Sequence, residues 1–149
     1  MIPALSIRGP WWWFIFYGGK DIENRGWSTR YRGPVYIHAS KWFDAEEMQY
    51  DWEDALEMYR NSGGTSLPPV TLRDLRDRGG CIVGRAEIVD CVQTSASPWF
   101  MGPHGFLLRN PVAFATPVPC RGARRLFPVP VDVMTRISAI SMPEAMIGI

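Results

Sequence analysis

Seven consecutive apolar and aromatic residues, WWWFIFY at 11–17, run directly into the charged stretch GGKDIENR at 18–25. A Gly-Pro pair precedes the run and a Gly pair follows it. This punctuation predicts a short helix, because Pro suits the first helical turn and Gly suits a helix C-terminus. A helix cannot bury three consecutive positions on one side, so one or two of Trp11, Trp12 and Trp13 belong to the core and the remaining one is exposed or faces a cleft. The charges that follow either form a surface turn or line the rim of an apolar pocket.

Two strands are predicted after this helix. The segment KDIENRGW at 20–27 is strand-like, and a regular strand would place three residues on one face: Glu23, Arg25 and Trp27. The segment RGPVYIHAS at 32–40 alternates more clearly. Its residues are expected on two faces, with Val35, Ile37 and Ala39 on one and Tyr36, His38 and Ser40 on the other.

The remaining elements are predicted mainly from their end signals. Asp44 is placed to cap an amphipathic helix that a Gly pair ends, and Thr71 is placed to cap a shorter helix. Residues 80–93 predict a long strand or a bent hairpin, in which Gly84 marks a bulge. Residues 126–139 are expected to close the sheet as a further strand.

Chain length and element order predict one α+β domain that spans residues 1–149. A chain of 149 residues with 46% apolar content can bury a core without metals or disulfides. Strands mostly follow one another, and the helices are inserted early, which indicates an α+β fold built around an antiparallel sheet or barrel.

The net charge of +1 predicts no polyanionic partner by itself, but the charges are segregated along the chain. Residues 1–41 carry six basic and two acidic side chains, whereas residues 44–60 carry seven acidic and one basic. This pattern predicts a basic face opposite an acidic helix. Fourteen of the sixteen basic residues are Arg, which suits forked recognition of phosphate or base edges, although a GC-rich genome would also favour Arg. Candidate phosphate contacts, each of which could equally be a solvated surface charge, are Arg30, Arg32, Lys41, Arg121, Arg124 and Arg125.

Cysteine and histidine usage gives no support for a metal site. The three cysteines lack C-x-x-C spacing, and the two histidines lie far apart with no carboxylate at ligand spacing. Reduced thiols in a cytoplasmic protein are therefore expected, with no metal and no cofactor. The apolar run at 11–17 is too short to span a membrane, and the stretch after it offers no signal-peptide cleavage site.

Three segments together carry a resemblance to a known family: PWWWFIFYGGKDIENR at 10–25, RYRGPVYIHAS at 30–40 and SPWFMGPHGFLL at 97–108. A helix begins near a Pro-Trp, a G-x-K-x-x-E-x-R turn follows, and a strand reads R-G-P-x-x-I-H-A. With these features the chain resembles the ASCH domain family, a branch of the PUA-like β-barrel superfamily. The first forty residues match closely, and the remainder matches the barrel pattern loosely.

The resemblance implies a small, mostly antiparallel β-barrel with two or three flanking helices. It also implies a cleft at the helix-to-strand turn that binds RNA or modified nucleosides. Some small relatives hydrolyse the amide of N4-acetylcytidine with the Lys of this motif, a Thr nucleophile and a Glu from a later loop. Here Lys20 is kept, Glu23 stands at the Thr position, and no acid lies between residues 91 and 131. The Thr mechanism therefore does not carry over.

Lys20 and Glu23 could nevertheless form a catalytic pair. A carboxylate desolvated by aromatic rings would have a raised pKa and could act as a general base on water, and a nearby ammonium could stabilise an oxyanion. The structural alternative is an ion pair, in which Glu23 binds Lys20 or Arg25 and holds the turn.

Further residues are candidates for ligand contacts. His38 and Ser40 share a strand face and are expected either in the cleft or, for the histidine, hydrogen-bonded under a helix. Trp99 and Phe100 lie in a loop, where they either plug the end of the barrel or stack on a base, and plugging is expected for one of them. His104 is either a lid residue or an exposed turn residue. The proposed ligand-binding set consists of Trp11, Arg25, Arg30, Arg32, His38, Ser40, Lys41, Trp99, Phe100 and His104.

Three functions are consistent with these patterns. The first is an RNA-binding or modified-nucleoside-binding domain with its cleft at the charged turn. The second is a small hydrolase that uses Lys20 and Glu23 on acetylated cytidine or on an RNA phosphodiester. The third is an adaptor that binds a protein through its acidic helix. The sequence does not specify the oligomeric state.

Overall fold

The structure is a computed structural model that describes residues 1–41 and 43–141. In chain order its elements are β1 Ala4–Ile7, α1 Trp11–Tyr17, β2 Ile22–Arg25, β3 Gly33–Ala39, α2 Ala45–Asn61, α3 Leu72–Asp77, β4 Cys81–Val92, β5 His104–Pro119, β6 Leu126–Phe127 and α4 Val131–Ser141.

The six strands form one mixed sheet in the order β2-β5-β4-β3-β1-β6. Only the β1–β3 pair is parallel, and the other four pairs are antiparallel. The sheet curls into a half-barrel, and the described residues add four helices to it. The prediction of an α+β, mostly antiparallel PUA-like fold is confirmed, with one helix more than the two or three expected.

Strand β3 separates two apolar clusters, as its alternation predicted. On one face, Val35 and Ile37 are fully buried in the larger cluster, which includes the aromatic residues of α1. On the other face, Tyr36 packs against the smaller cluster, and the ring of His38 lies 5.8 Å from that of Phe127. The two faces of one strand therefore support two different layers of the domain.

Helix α1 buries most of its aromatic residues. Trp12 and Trp13 are both 2% exposed, whereas Trp11 is only partly buried. Trp52 of α2 packs against this helix, with its ring 5.6 Å from that of Trp13 and 5.1 Å from that of Phe14. The prediction that one tryptophan of the three would lie outside the core is confirmed, and that residue is Trp11.

The predicted end signals of α2 and α3 are also confirmed. The Asp44 carboxylate accepts hydrogen bonds from the backbone N–H groups of Glu46 and Glu47, at 3.0 and 3.1 Å. Thr71 and Asp74 form a capping box at the start of α3, with distances of 3.0 and 3.1 Å. Local side-chain chemistry therefore decides where these helices begin.

The long segment around Gly84 forms the single strand β4 and not a hairpin. Its register with β5 shifts between Ile82 and Gly84, which confirms the predicted bulge. The Phe16 ring and the Val112 carbonyl occupy the space where a side chain at Gly84 would begin. Glycine is thus required here by close approach of neighbouring groups.

The prediction that residues 126–139 close the sheet is wrong beyond Phe127. Two prolines at 128 and 130 cannot donate ladder hydrogen bonds, and the chain then forms α4. Val133 and Ile137, one helical turn apart, are 5% and 3% exposed and pack in the smaller apolar cluster. Their spacing follows a helical period, which the preceding β-like PVPV pattern obscured.

Candidate functional site

The charged stretch after α1 folds inward at Lys20. The Lys20 backbone N–H donates to the Phe14 carbonyl at 3.0 Å, which ties the turn to the last turn of α1. The Lys20 side chain is 1% exposed, and its ammonium donates to the Ile22 carbonyl and to Glu23 Oε1, the latter at 2.8 Å. The ammonium also lies 5.9 Å from the centre of the Trp11 ring. The Ile22 carbonyl, the Glu23 carboxylate and this ring therefore surround it.

Glu23 lies between two cations. Its Oε1 atom accepts from Lys20, and its Oε2 atom accepts from Arg25 Nη2 at 3.0 Å. Burial by itself raises the pKa of Glu23, but the charges of Lys20 and Arg25, together with their hydrogen bonds, outweigh burial and hold this pKa below its ordinary value of 4.5. The carboxylate is therefore ionised at neutral pH.

This arrangement contradicts the expected raised pKa of Glu23. A carboxylate with a lowered pKa is a weaker proton acceptor than a free one, and both of its oxygens already accept hydrogen bonds from cations. Lys20 is also covered, so a substrate oxyanion cannot reach its ammonium in this conformation. Lys20 and Glu23 therefore have the geometry of an ion pair that holds the turn, which was the alternative to a catalytic pair.

Arg25 is the member of this network that reaches a cleft. Its Nη2 atom also donates to the Ser6 carbonyl at 2.8 Å, which connects β2, at one edge of the sheet, to β1, next to the other edge. The side chain is 22% exposed. Within residues 1–41 and 43–141, its Nε atom is buried and has no hydrogen-bond partner. The guanidinium therefore has donor capacity that the protein itself does not use.

The cleft has a volume of about 470 Å³ and lies at this gap between the sheet edges. Glu23, Arg25 and Trp27 line it together, as the strand prediction for β2 required. Trp11 of α1 and Ser40 at the end of β3 also line it. Aromatic rings, a guanidinium and a hydroxyl thus converge on one concave surface.

Trp27 is held in place by neighbours from two other parts of the chain. Its ring lies 5.0 Å from that of Phe106 in an edge-to-face arrangement. The Arg125 guanidinium carbon lies over the Trp27 ring, 5.0 Å from its centre. Arg125 therefore contacts the cleft wall through a cation–π interaction.

The other polar residues of the charged stretch hold a loop. The Asn24 side chain donates to the Trp99 carbonyl at 2.9 Å and accepts from the Met101 N–H at 2.8 Å. Asp21 Oδ1 accepts from Ser97 Oγ at 2.6 Å. Sequence reasoning missed these two roles, because the partners lie more than seventy positions away and no local pattern marks them.

The loop brings Trp99 and Phe100 to different environments. Trp99 is 1% exposed, and its ring lies 5.7 Å from that of Phe14, so this residue plugs the core. It offers no face on which a base could stack. Phe100 is half-buried and packs over Gly105, where an added side-chain carbon would lie 2.8 Å from the Phe100 ring. One of the two aromatic residues therefore acts as the predicted plug.

His38 is buried on the far side of the cleft wall. Its Nε2–H donates to the Cys120 carbonyl at 2.7 Å, which leaves Nδ1 to accept from the Ser6 hydroxyl at 2.9 Å. Burial lowers the pKa of His38, and the hydrogen bond to Cys120 offsets only part of this effect. The histidine is thus neutral near pH 7 and positions Ser6 and the Cys120 loop.

The remaining predicted residues lie outside the cleft. Arg30 is exposed. Arg32 and His104 line a separate depression of about 550 Å³, where Arg32 donates to the Thr29 and Tyr31 carbonyls at 2.9 and 3.0 Å. Lys41, Arg121 and Arg124 line another cavity, together with His38 and Ser40. The predicted set is therefore spread over these three concave regions, the core and the exposed surface.

The part of the chain that the structure describes contains no group of three or more His, Cys, Asp or Glu residues that could hold a metal ion. No helix in that part is long and apolar enough to cross a membrane.

Replacing Lys20 by Met is expected to destabilise the fold by about 3–5 kcal/mol, because Glu23 would keep a buried charge with one partner fewer. The double variant Lys20→Met/Glu23→Gln should cost less than the sum of the two single changes. Urea denaturation measures each free energy of unfolding. Lys41→Met, at the other lysine of the chain, is the matched control, and an equal effect of the two lysine changes would contradict the network.

Replacing His38 by Gln is expected to reduce the acid sensitivity of the fold. Because the folded pKa lies below the ordinary value of 6.5, the unfolded chain binds the proton first, and stability falls as pH drops below that value. The slope for one proton is at most about 1.4 kcal/mol per pH unit. The contribution of Glu23 is lost only below its ordinary value of 4.5, so the two losses of stability begin at different pH values.

Urea denaturation between about pH 7 and pH 5 measures this slope. The matched control is His104→Gln at the other histidine, and an equal change of slope in the two variants would contradict a specific role of His38. Identical slopes for the wild type and His38→Gln would show that His38 is not the titrating group.

Comparison with known proteins identifies the family of the chain. No curated protein matches the chain. A family model described as the ASCH domain matches residues 5–107, which begin in β1, end in β5 and include α1, the charged stretch and every strand that lines the cleft. The match covers more than half of the chain. The chain therefore belongs to the ASCH domain family.

Proposed function

We propose that this domain binds single-stranded RNA by holding one base in the cleft lined by Trp11, Arg25 and Trp27. Membership of the ASCH family indicates an RNA-binding or related domain. The observation that carries the finer proposal is the position of Arg25. Its guanidinium is fixed by Glu23 and by the Ser6 carbonyl, and it lines a cleft that two indole rings also line.

Arg25 suits recognition of a base edge. Two of its hydrogen bonds fix the Nη2 atom, so the plane of the guanidinium is set before a ligand arrives. The N–H groups of Nη1 remain as donors for an acceptor such as the carbonyl or ring nitrogen of a base. A preorganised donor loses less conformational entropy on binding than a free side chain does.

Trp11 supplies the second part of the proposed contact. One stacked base contributes about 1–3 kcal/mol, and stacking tolerates any base because every base has a π-face. Trp11 is partly buried and lines the cleft, so it is anchored but still accessible. A modified nucleoside would use the same contacts, which makes it the alternative ligand for this site.

The geometry favours binding over hydrolysis at Lys20 and Glu23. The ammonium is enclosed, and the ionised carboxylate is held by two cations. The apolar side of α2 is not available to a partner protein, because residues such as Trp52 pack on α1. The acidic outer face of α2 would repel phosphate, so RNA is expected on the cleft side.

Trp11→Ala is expected to weaken RNA binding by about 1–3 kcal/mol, at least about fivefold, through the loss of stacking. Arg25→Gln should weaken it to a similar extent through the loss of the base contact. Fluorescence anisotropy of a labelled short oligouridylate at low salt measures both affinities. Arg73→Gln, at an exposed arginine of α3 outside the proposed ligand-binding set, is the control.

Arg73→Gln should leave the RNA affinity unchanged, since the residue lies on α3 and outside the cleft. Thermal unfolding confirms that each variant is folded before its affinity is compared. Wild-type affinity in both Trp11→Ala and Arg25→Gln would exclude the cleft as the binding site.

A further inference from the structure

A second cavity, of about 830 Å³, opens beside the cleft. Three cations line it, Lys41, Arg121 and Arg124, and none of its lining residues is acidic. Ser6 and Ser40 line both this cavity and the cleft. The two spaces therefore adjoin at these two serines.

The cations of this cavity are not neutralised within the part of the chain that the structure describes. Among residues 1–41 and 43–141, no carboxylate lies within ion-pair distance of Lys41, Arg121 or Arg124. Arg25, by contrast, pairs with Glu23 at 3.0 Å. Uncompensated positive charge in a concave site attracts anions, and guanidinium groups match the oxygens of phosphate.

The loop that carries the two arginines is held at both ends. At its start, the Cys120 carbonyl accepts from His38 Nε2 at 2.7 Å, and Gly122 packs so closely that an added side-chain carbon would lie 2.8 Å from the His38 ring. At its end, Arg125 stacks over Trp27 of the cleft at 5.0 Å. The loop therefore runs along both spaces, from the buried histidine to the cleft wall.

The geometry points to a phosphate subsite: the cavity lined by Lys41, Arg121 and Arg124 binds the phosphate attached to the nucleotide whose base lies in the cleft. This inference rests on the proposed function and narrows its ligand to a phosphorylated nucleotide or an RNA strand, in place of a free nucleoside. Arg121 and Arg124 lie beyond residues 5–107, so the family match does not supply this subsite.

Competition against a labelled short oligouridylate tests the subsite. The competitors are uridine, uridine 5′-monophosphate, uridine 3′-monophosphate and inorganic phosphate. The variant is Arg121→Ala/Arg124→Ala, and both residues are exposed, so the fold should be retained. The matched control, Arg60→Ala/Arg73→Ala, removes the same charge from exposed positions on α2 and α3.

In the wild type, one of the monophosphates should compete better than uridine. In Arg121→Ala/Arg124→Ala, that monophosphate should compete about tenfold more weakly while uridine competes as before, because only charged hydrogen bonds to phosphate are lost. The slope of the logarithm of the RNA association constant against the logarithm of salt concentration should decrease by roughly 1.4 in magnitude. The control variant should retain wild-type values for both quantities.

Two results would overturn the subsite while leaving the base-binding cleft in place. One is an unchanged monophosphate affinity in Arg121→Ala/Arg124→Ala, or an equal loss in the control variant. The other is competition by inorganic phosphate as strong as that of the monophosphates, which would indicate a site for free anions. If Arg25→Gln leaves competition by uridine intact, the base does not occupy the cleft, and the proposed function fails together with the subsite that depends on it.

Discussion

The Glu23 carboxylate holds two cations that come from either side of it in the chain, and the position of the cleft depends on this interaction. Lys20 lies underneath, enclosed by the end of α1 and the Ile22 carbonyl, while Arg25 extends outward to the Ser6 carbonyl. A buried carboxylate with one partner would be costly, whereas two partners and their hydrogen bonds keep it ionised. Lys20 thus stabilises the Glu23 carboxylate, and this carboxylate positions Arg25. Of the two cations, only Arg25 reaches the cleft.

The cleft lies where the curled sheet remains open. Strand β2 is at one edge of the sheet, and β1 and β6 are at the other, so no backbone ladder joins these edges. Side chains span the gap instead: Arg25 donates to Ser6 of β1, and Trp27 contacts Arg125, which directly precedes β6. In a closed barrel, backbone hydrogen bonds would join the two edge strands at this position. Here polar and aromatic side chains occupy the gap instead. The same gap brings the cleft and the basic cavity side by side.

Local signals in the sequence predicted most of the fold. Capping residues such as Asp44 and Thr71, the bulge at Gly84 and the alternation of β3 each depend on neighbours a few positions away, and the structure confirms them. The rest depended on three-dimensional packing. Lys20 and Arg25 lie within three positions of Glu23, but their spacing does not reveal that both reach its carboxylate and outweigh its burial. Nothing near Asn24 reveals that it holds the Trp99 loop, and the β-like PVPV segment concealed the start of α4. At the charged turn, Glu23 and Arg25 line the cleft, whereas the Lys20 ammonium is enclosed, and no sequence pattern distinguished these positions.

The most direct measurement is a carboxyl ¹³C NMR titration of Glu23 in the folded protein. An ion-paired carboxylate stays deprotonated on acidification from about pH 7 and takes up its proton only below the ordinary value of 4.5. The account predicts a constant Glu23 resonance down to that pH. A Glu23 carboxyl that titrates between these two pH values would contradict it, because such a group could not hold Lys20 and Arg25 in the arrangement on which the cleft depends.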